Sequence, residues 1–179
     1  GKNLTSAFLG GWKMAKKPDK TTLLVAVDFS PYSEQALCFA GQLAEKLKAQ
    51  LLVLHVIHDP AEAPGFYAQK GKKKKFLKSM EEAAEEMMEE FLLKMRQAHP
   101  DIVPIKKAKA LLVVGTPVTR IVEVAEKKQV SMIIIGSHGR TGLAHLLVGS
   151  KVQRVVQLSP VPVTVVKNPQ GNVNFCSPA

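Results

Sequence analysis

The sequence predicts a single-domain α/β fold built on a doubly wound, five-stranded parallel sheet. Three observations carry this. Short apolar runs alternate with helical patterns from residue 21 to 167 in the order β-α-β-α-β-α-β-α-β, which right-handed crossovers turn into a parallel sheet. Several runs are aliphatic at nearly every position, as in strands covered on both faces. The 179 residues suffice for one domain that buries roughly 70% of its unfolded-chain surface.

The elements follow in order. Residues 1–20 carry glycine and lysine without a sustained period and read as a flexible arm. Met14, opening MAKKPDK, reads as a natural start, so residues 1–13 read as an expression-vector remnant or an alternative start. LLVAV (23–27) is the first strand. Ser30-Pro31 is an N-cap and N1 pair, followed at helical spacing by Leu37, Ala40, Ala44 and Leu47. LLVLHVI (51–57) is the second strand. A stripe of Met80, Ala84, Met87, Phe91 and Met95 marks the next helix, its methionines filling core. ALLVV (110–114) is a strand, and Thr116-Pro117 opens a helix carrying Ile121, Val124 and Ala125. MIIIG (132–136) is the fourth strand; Gly149-Ser150 opens a helix with Val152, Val155 and Val156. VPVTVV (161–166) closes the pattern, and Pro160 and Pro162 at its start suit a sheet edge. Residues 168–179 are turn-rich and read as a flexible tail, leaving 21–167 as the folded domain.

Composition limits the function classes. A hydrophobic fraction of 46% and a mean hydropathy of +0.02 fit a globular protein. No run approaches the 18–20 apolar residues of a membrane span, and no signal-peptide core is visible, so a cytoplasmic location and no membrane partner are expected. Cys38 and Cys176 give no disulfide framework; Cys38 reads as a core thiol. The net charge of +10 is unevenly spread. Six lysines lie between Lys70 and Lys78, directly before Glu81, Glu82, Glu85, Glu86, Glu89 and Glu90. This reads as a solvated basic loop preceding a helix with an acidic first half. Phe66, Tyr67 and Phe76 are too few for a base-stacking platform, so nucleic acid is not the expected partner.

Ligands of such sheets bind beyond the carboxyl ends of the strands, where strand order reverses. That directs attention to Asp28, to His55–His58, to Gly115 and to IIIGSHGRTGLAHLLVGS (133–150). There is no GxxxxGK[ST]: Gly149-Ser150-Lys151 lacks the Gly-Lys pair, and Gly65 to Gly71 is one residue too long. Nor is there a GxGxxG, because Gly136, Gly139 and Gly142 are spaced by three. Gly136 and Gly139 after a buried strand let the backbone approach a ligand and adopt positive φ. Gly149-Ser150 at a helix start offers amide N–H groups and a hydroxyl where the helix dipole favours anions. Arg140 adds charge, and Asp28 either accepts ribose hydroxyls, sits near a metal ion, or caps the following helix. On the residues alone, ordinary turn punctuation is the commoner reason for such glycines. His138 and His145 lack the further ligands of a zinc site, and Ser137-His138 is not a nucleophile elbow.

VAVDFSPYSEQAL (25–37), LLVLHVI (51–57), IIIGSHGRTGLAHLLVGS (133–150) and SPVPVTVVK (159–167) together resemble the universal stress protein family. Its nucleotide-binding members carry Gly-x2-Gly-x9-Gly-[Ser/Thr], here Gly136-x2-Gly139-x9-Gly149-Ser150, with Val27-Asp28-x-Ser30 upstream. The resemblance implies a Rossmann-like, adenine nucleotide alpha hydrolase-like fold that binds ATP, with Mg²⁺ or Mn²⁺ as a possible companion, and dimerises through the final edge strand. It implies that Ala26, Val27 and Asp28 flank adenine and ribose, with Val56 against the adenine. Gly136, Ser137, His138, Gly139 and Arg140 meet ribose and phosphates, and Gly149, Ser150, Lys151 and Val152 close the phosphate end. Lys151 departs from the small or apolar residue frequent there, and Gln153 from a frequent acid. Residues 66–78 correspond to a variable segment that can act as a lid. No general base stands beside the phosphate end, so a stress-response or signalling module with little or no turnover is expected. The alternatives are a nucleotide-independent scaffold using its lysines, and a slow nucleotide hydrolase with Asp28 holding a metal.

Overall fold

The computed structural model describes residues 20–58, 70–139 and 148–167, with side chains in the second helix from residue 77 onward. Five parallel strands, β1 (Thr22–Ala26), β2 (Gln50–Ile57), β3 (Lys109–Val114), β4 (Met132–Gly136) and β5 (Val163–Val166), form one sheet in the order β3-β2-β1-β4-β5. The helices are α1 (Pro31–Leu47), α2 (Lys70–Ala98), α3 (Val103–Lys106), α4 (Pro117–Lys127) and α5 (Ser150–Leu158). From β1 the chain steps outward to β2 and β3, then returns past β1 to β4 and on to β5. The order therefore reverses between β1 and β4, which pair directly, with Ala26 opposite Ile135.

Alternation along the strands fills two separate cores. Leu23, Val25, Val27, Leu51, Val53 and Ile134 pack under α1, α2 and α3, against Leu37, Ala40, Phe91, Met95 and Ile105. Leu24, Ala26, Leu54 and Ile133 pack on the opposite face under α4 and α5, against Ile121, Ala125 and Val155. Burial of both faces is why these strands read as continuous aliphatic runs rather than as an alternation.

Several expectations are corrected. The lysine run is not a loop preceding a helix, for α2 begins at Lys70 and continues for 29 residues, roughly 43 Å. Its basic first turn opposes the helix dipole. The strong helix propensity of Lys, Glu, Met and Ala outweighs that penalty, helped by pairs such as Lys78–Glu82 at 3.7 Å. The core face of α2 is Ala84, Met88, Phe91, Leu92 and Met95, so Met88 takes the place expected for the exposed Met87. Leu47 and Val156, read as part of the helical stripes, are about half exposed at 48% and 49%. Helix α3 was not anticipated. Strand β5 starts at Val163, because Pro162 has no N–H to give; its carbonyl still accepts from the Ile133 N–H at 2.9 Å. Cys38 is fully buried, as expected, but it is disulfide-bonded and not a free thiol; the chain's only other cysteine, Cys176, lies outside the described residues. Among the described residues no helix is long and apolar enough to cross a membrane.

Candidate functional site

The site is built from two segments that leave adjacent strands at the point of reversal. The first follows β1. Val27 continues the ladder by donating to the Leu54 carbonyl at 2.8 Å, and the chain then turns sharply at Phe29, whose φ is +64°. That left-handed conformation costs a non-glycine residue roughly 1–2 kcal/mol. It returns the chain so that the Ser30 N–H donates to Asp28 Oδ1 at 3.1 Å. The Ser30 hydroxyl donates to the same oxygen at 2.6 Å, and the Ser33 hydroxyl at 2.8 Å. The Asp28 N–H in turn donates to Ser33 Oγ at 2.9 Å. Asp28 is therefore not the cap of α1. Ser30 holds that position, accepting from the Ser33 N–H at 3.4 Å, and Asp28 locks the cap in place.

The second segment follows β4. The Ser137 N–H donates to the Val166 carbonyl at 2.8 Å, and the Ser137 hydroxyl lies 3.0 Å from His138 Nδ1. The His138 ring rests on Tyr32 of α1, with ring centroids 5.2 Å apart. The Gly149 N–H donates to the Ser137 carbonyl at 2.9 Å, which draws the start of α5 against the end of β4. Among the described residues no side chain caps α5, whose first-turn amides have the electrostatic character that favours an anion.

The glycines divide by role. A Cβ on Gly136 would lie 2.8 Å from Tyr32 Cβ and 2.8 Å from the Tyr32 carbonyl oxygen. Gly136 thus makes room for the first turn of α1, a packing role that the sequence did not show. Gly136→Ala should cost roughly 1–3 kcal/mol, as overpacking does, read as a lower denaturation midpoint at unchanged m-value. A Cβ on Gly139 would lie 2.7 Å from Asp28 Oδ2, so this glycine admits the carboxylate. A Cβ on Gly149 would meet only ordinary contacts, at 3.5 Å from the Ser137 carbonyl oxygen. Positive φ, expected at Gly136 and Gly139, occurs among the described glycines at Gly115 alone, where the Arg120 side chain lies across the turn.

The fold thus brings Asp28, Ser137, His138, Gly139 and Gly149 together. Ala26 and Val27 end β1 with side chains buried in opposite cores. Val56 is half-buried on the same face as Ala26. Ser150 and Lys151 are exposed on the first turn of α5, while Val152 is buried. Arg140 and His145 lie outside the described residues. Sequence reading missed Phe29, Tyr32 and Ser33; the Asp-x-Ser-x-x-Ser spacing from Asp28 to Ser33 was the available signal. Two other surface depressions, of about 390 and 350 Å³, lie elsewhere, one by Glu45, Lys48 and Pro104, the other by Leu111, Arg120 and Lys128.

A parallel sheet that reverses between β1 and β4, with Asp28 and the start of α5 at the reversal, is a Rossmann-like α/β domain, a fold that takes ligands at the switch point. The chain belongs to the universal stress protein family, whose sequence model matches residues 21–167. Universal stress protein MJ0577 of Methanocaldococcus jannaschii is 32% identical over 152 residues, 81% of this chain and 93% of that protein. Universal stress protein YxiE of Bacillus subtilis is 30% identical over 158 residues, 81% and 97% of the two chains. The solved structure of MJ0577 matches with a TM-score of 0.61 at 30% identity, covering 85% of this chain and 99% of that one. A universal stress protein in complex with cAMP shares the fold at a TM-score of 0.54 and 23% identity, covering 83% and 97%.

Proposed function

We propose that the chain binds ATP in the cleft between β1 and β4 and acts as a nucleotide-holding stress-response or signalling module in the cytoplasm, with little or no turnover. The observation that carries this is the Gly149 N–H bond to the Ser137 carbonyl, which sets the start of α5 beside the two segments that carry Asp28 and Gly139. The spacing Gly136-x2-Gly139-x9-Gly149-Ser150 supports ATP as the ligand. The cAMP held by a relative of the same fold belongs to the same chemical class.

The backbone at Ala26–Asp28 and the Val56 side chain form the base end of the cleft. Asp28 meets the ribose hydroxyls through Oδ2, which faces Gly139, while Oδ1 takes three hydrogen bonds from the loop. The phosphates meet the amides at the start of α5, the Ser150 hydroxyl and the backbone at Gly139. Lys151, exposed on that turn, adds a positive charge within reach of the same end. Gly136 supports the site through its packing on Tyr32. A Mg²⁺ or Mn²⁺ ion would be held chiefly by the phosphates, because Asp28 is the single carboxylate among these residues and one carboxylate does not make a closed metal site.

Water activation needs a positioned base, and the described site residues place none at the phosphate end. Incubation of the protein with Mg²⁺-ATP should therefore return bound ATP with at most slow ADP formation. Hydrolysis at or above roughly 1 s⁻¹, within the usual enzyme range, would establish the hydrolase reading instead. Strand β5 ends the sheet with Val163, Thr164 and Val165 half-buried, and the chain is proposed to pair through that edge with a second copy. Sedimentation equilibrium reads this directly, a dimer being the expected species.

A further inference from the structure

We infer that Phe29 is a positioning residue for the nucleotide site, acting through Asp28. This rests on the reading of the β1–β4 cleft as that site. The backbone at Phe29 adopts φ +64°, a conformation glycine takes freely and a phenylalanine resists. Something outside the loop must hold it there, and two rings do so. The Phe29 ring lies 4.3 Å from the His55 ring of β2 and 5.6 Å from the Phe91 ring of α2, the second contact edge-on at 64°. His55 is itself fixed. Its Nδ1 lies 2.8 Å from the Val27 carbonyl oxygen, which can only accept, so Nδ1 carries the proton. His55 thereby grips both neighbours of Asp28, Val27 through a hydrogen bond and Phe29 through its ring.

The consequence for the carboxylate is direct. The left-handed turn at residue 29 is what points the Ser30 N–H and hydroxyl back at Asp28 Oδ1. It is also what sets Oδ2 against Gly139 across the gap between the strands. Without the ring the same backbone remains accessible but is no longer the only one populated, and the carboxylate loses its fixed aim. Phe91 makes the arrangement sensitive to α2, because the same residue is 5% exposed in the core beneath that helix. The packing of the lysine-bearing helix is thereby tied to ligand affinity, although no lysine needs to touch the ligand.

The test uses the full chain with and without Mg²⁺-ATP. In Phe29→Gly, amide exchange at Ser30 should accelerate about tenfold or more in the nucleotide-free protein relative to core amides, whose exchange reports the global stability lost with the ring. The dissociation constant for ATP should rise about tenfold, and the penalty should vanish in an Asp28→Asn background, since the two residues act as one unit. Phe91→Leu, which keeps most of the core volume, should show the same pattern at roughly threefold, and it decides the matter if Phe29→Gly does not fold. Unchanged exchange and unchanged affinity would refute the positioning role, as would an equal penalty with Asp28→Asn already in place. Accelerated exchange in a protein whose wild type ignores ATP would refute the nucleotide site and leave the positioning role standing.

Discussion

Asp28→Ala should weaken ATP binding about 100-fold or more and lower the melting temperature of the nucleotide-free protein at the same time. Asp28 Oδ1 accepts from the Ser30 N–H, the Ser30 hydroxyl and the Ser33 hydroxyl within 3.1 Å. Hydrogen bonds to a charged group contribute about 1.5–3 kcal/mol each, though not additively, and removing the carboxylate strands donors on the buried Ser30 and Ser33. A net loss of about 3 kcal/mol is expected, a shift of roughly 6–12 °C for a domain of this size. The affinity loss corresponds to about 2.7 kcal/mol of contact made through Oδ2, which faces Gly139. Asp28→Asn keeps the shape and part of the bonding, so it should separate the two effects, with most of the stability retained and most of the affinity lost. Calorimetric titration with ATP alongside thermal denaturation measures both.

Gly149→Val should do the opposite in one respect, losing the nucleotide while the fold survives. Gly149 has φ −67° and ψ 147°, a conformation open to any residue. Its Cβ would rest in ordinary contact with the Ser137 carbonyl oxygen and, at 3.9 Å, with His138 Cα. Valine is a poor N-cap but restricts the unfolded chain, so stability should change by no more than about 1 kcal/mol. The branched side chain, however, adds bulk where the start of α5 meets the end of β4 and should raise the dissociation constant for ATP at least about tenfold. Affinity equal to wild type would mean that the start of α5 does not hold the phosphates. Gly136→Ala is the contrast: its neighbours are at 2.8 Å, so stability falls first. Gly149→Val is thus expected to act on the ligand and Gly136→Ala on the packing of α1, although the two glycines look alike in sequence.

Much of the fold was legible because burial on both faces leaves an unmistakable pattern. Runs such as MIIIG and LLVLHVI admit few other readings, and Ser30-Pro31 and Thr116-Pro117 fix helix starts locally. What was not legible depends on tertiary neighbours. Met87 and Met88 both satisfy a helical stripe, and only packing on the sheet chooses Met88. The start of α2 was hidden because six lysines near a helix N-terminus argue against it on dipole grounds, while propensity argues for it. The packing role of Gly136 was not legible, because Tyr32, which a Cβ there would meet, lies far upstream in the chain. The Asp28 loop was seen as Val-Asp-x-Ser, but the third partner, Ser33, and the φ of Phe29 follow from how the chain turns between β1 and α1. Local sequence named the elements and the switch point; the contacts that give each site residue its task come from elements far apart in the chain.

The account is tested most directly by heat-denaturing the purified protein, removing it, and identifying the released small molecule by chromatography and mass spectrometry. An adenine nucleotide, chiefly ATP, recovered at close to one per chain is the predicted result. A protein that releases none, and whose melting temperature does not move when ATP is added, would contradict it.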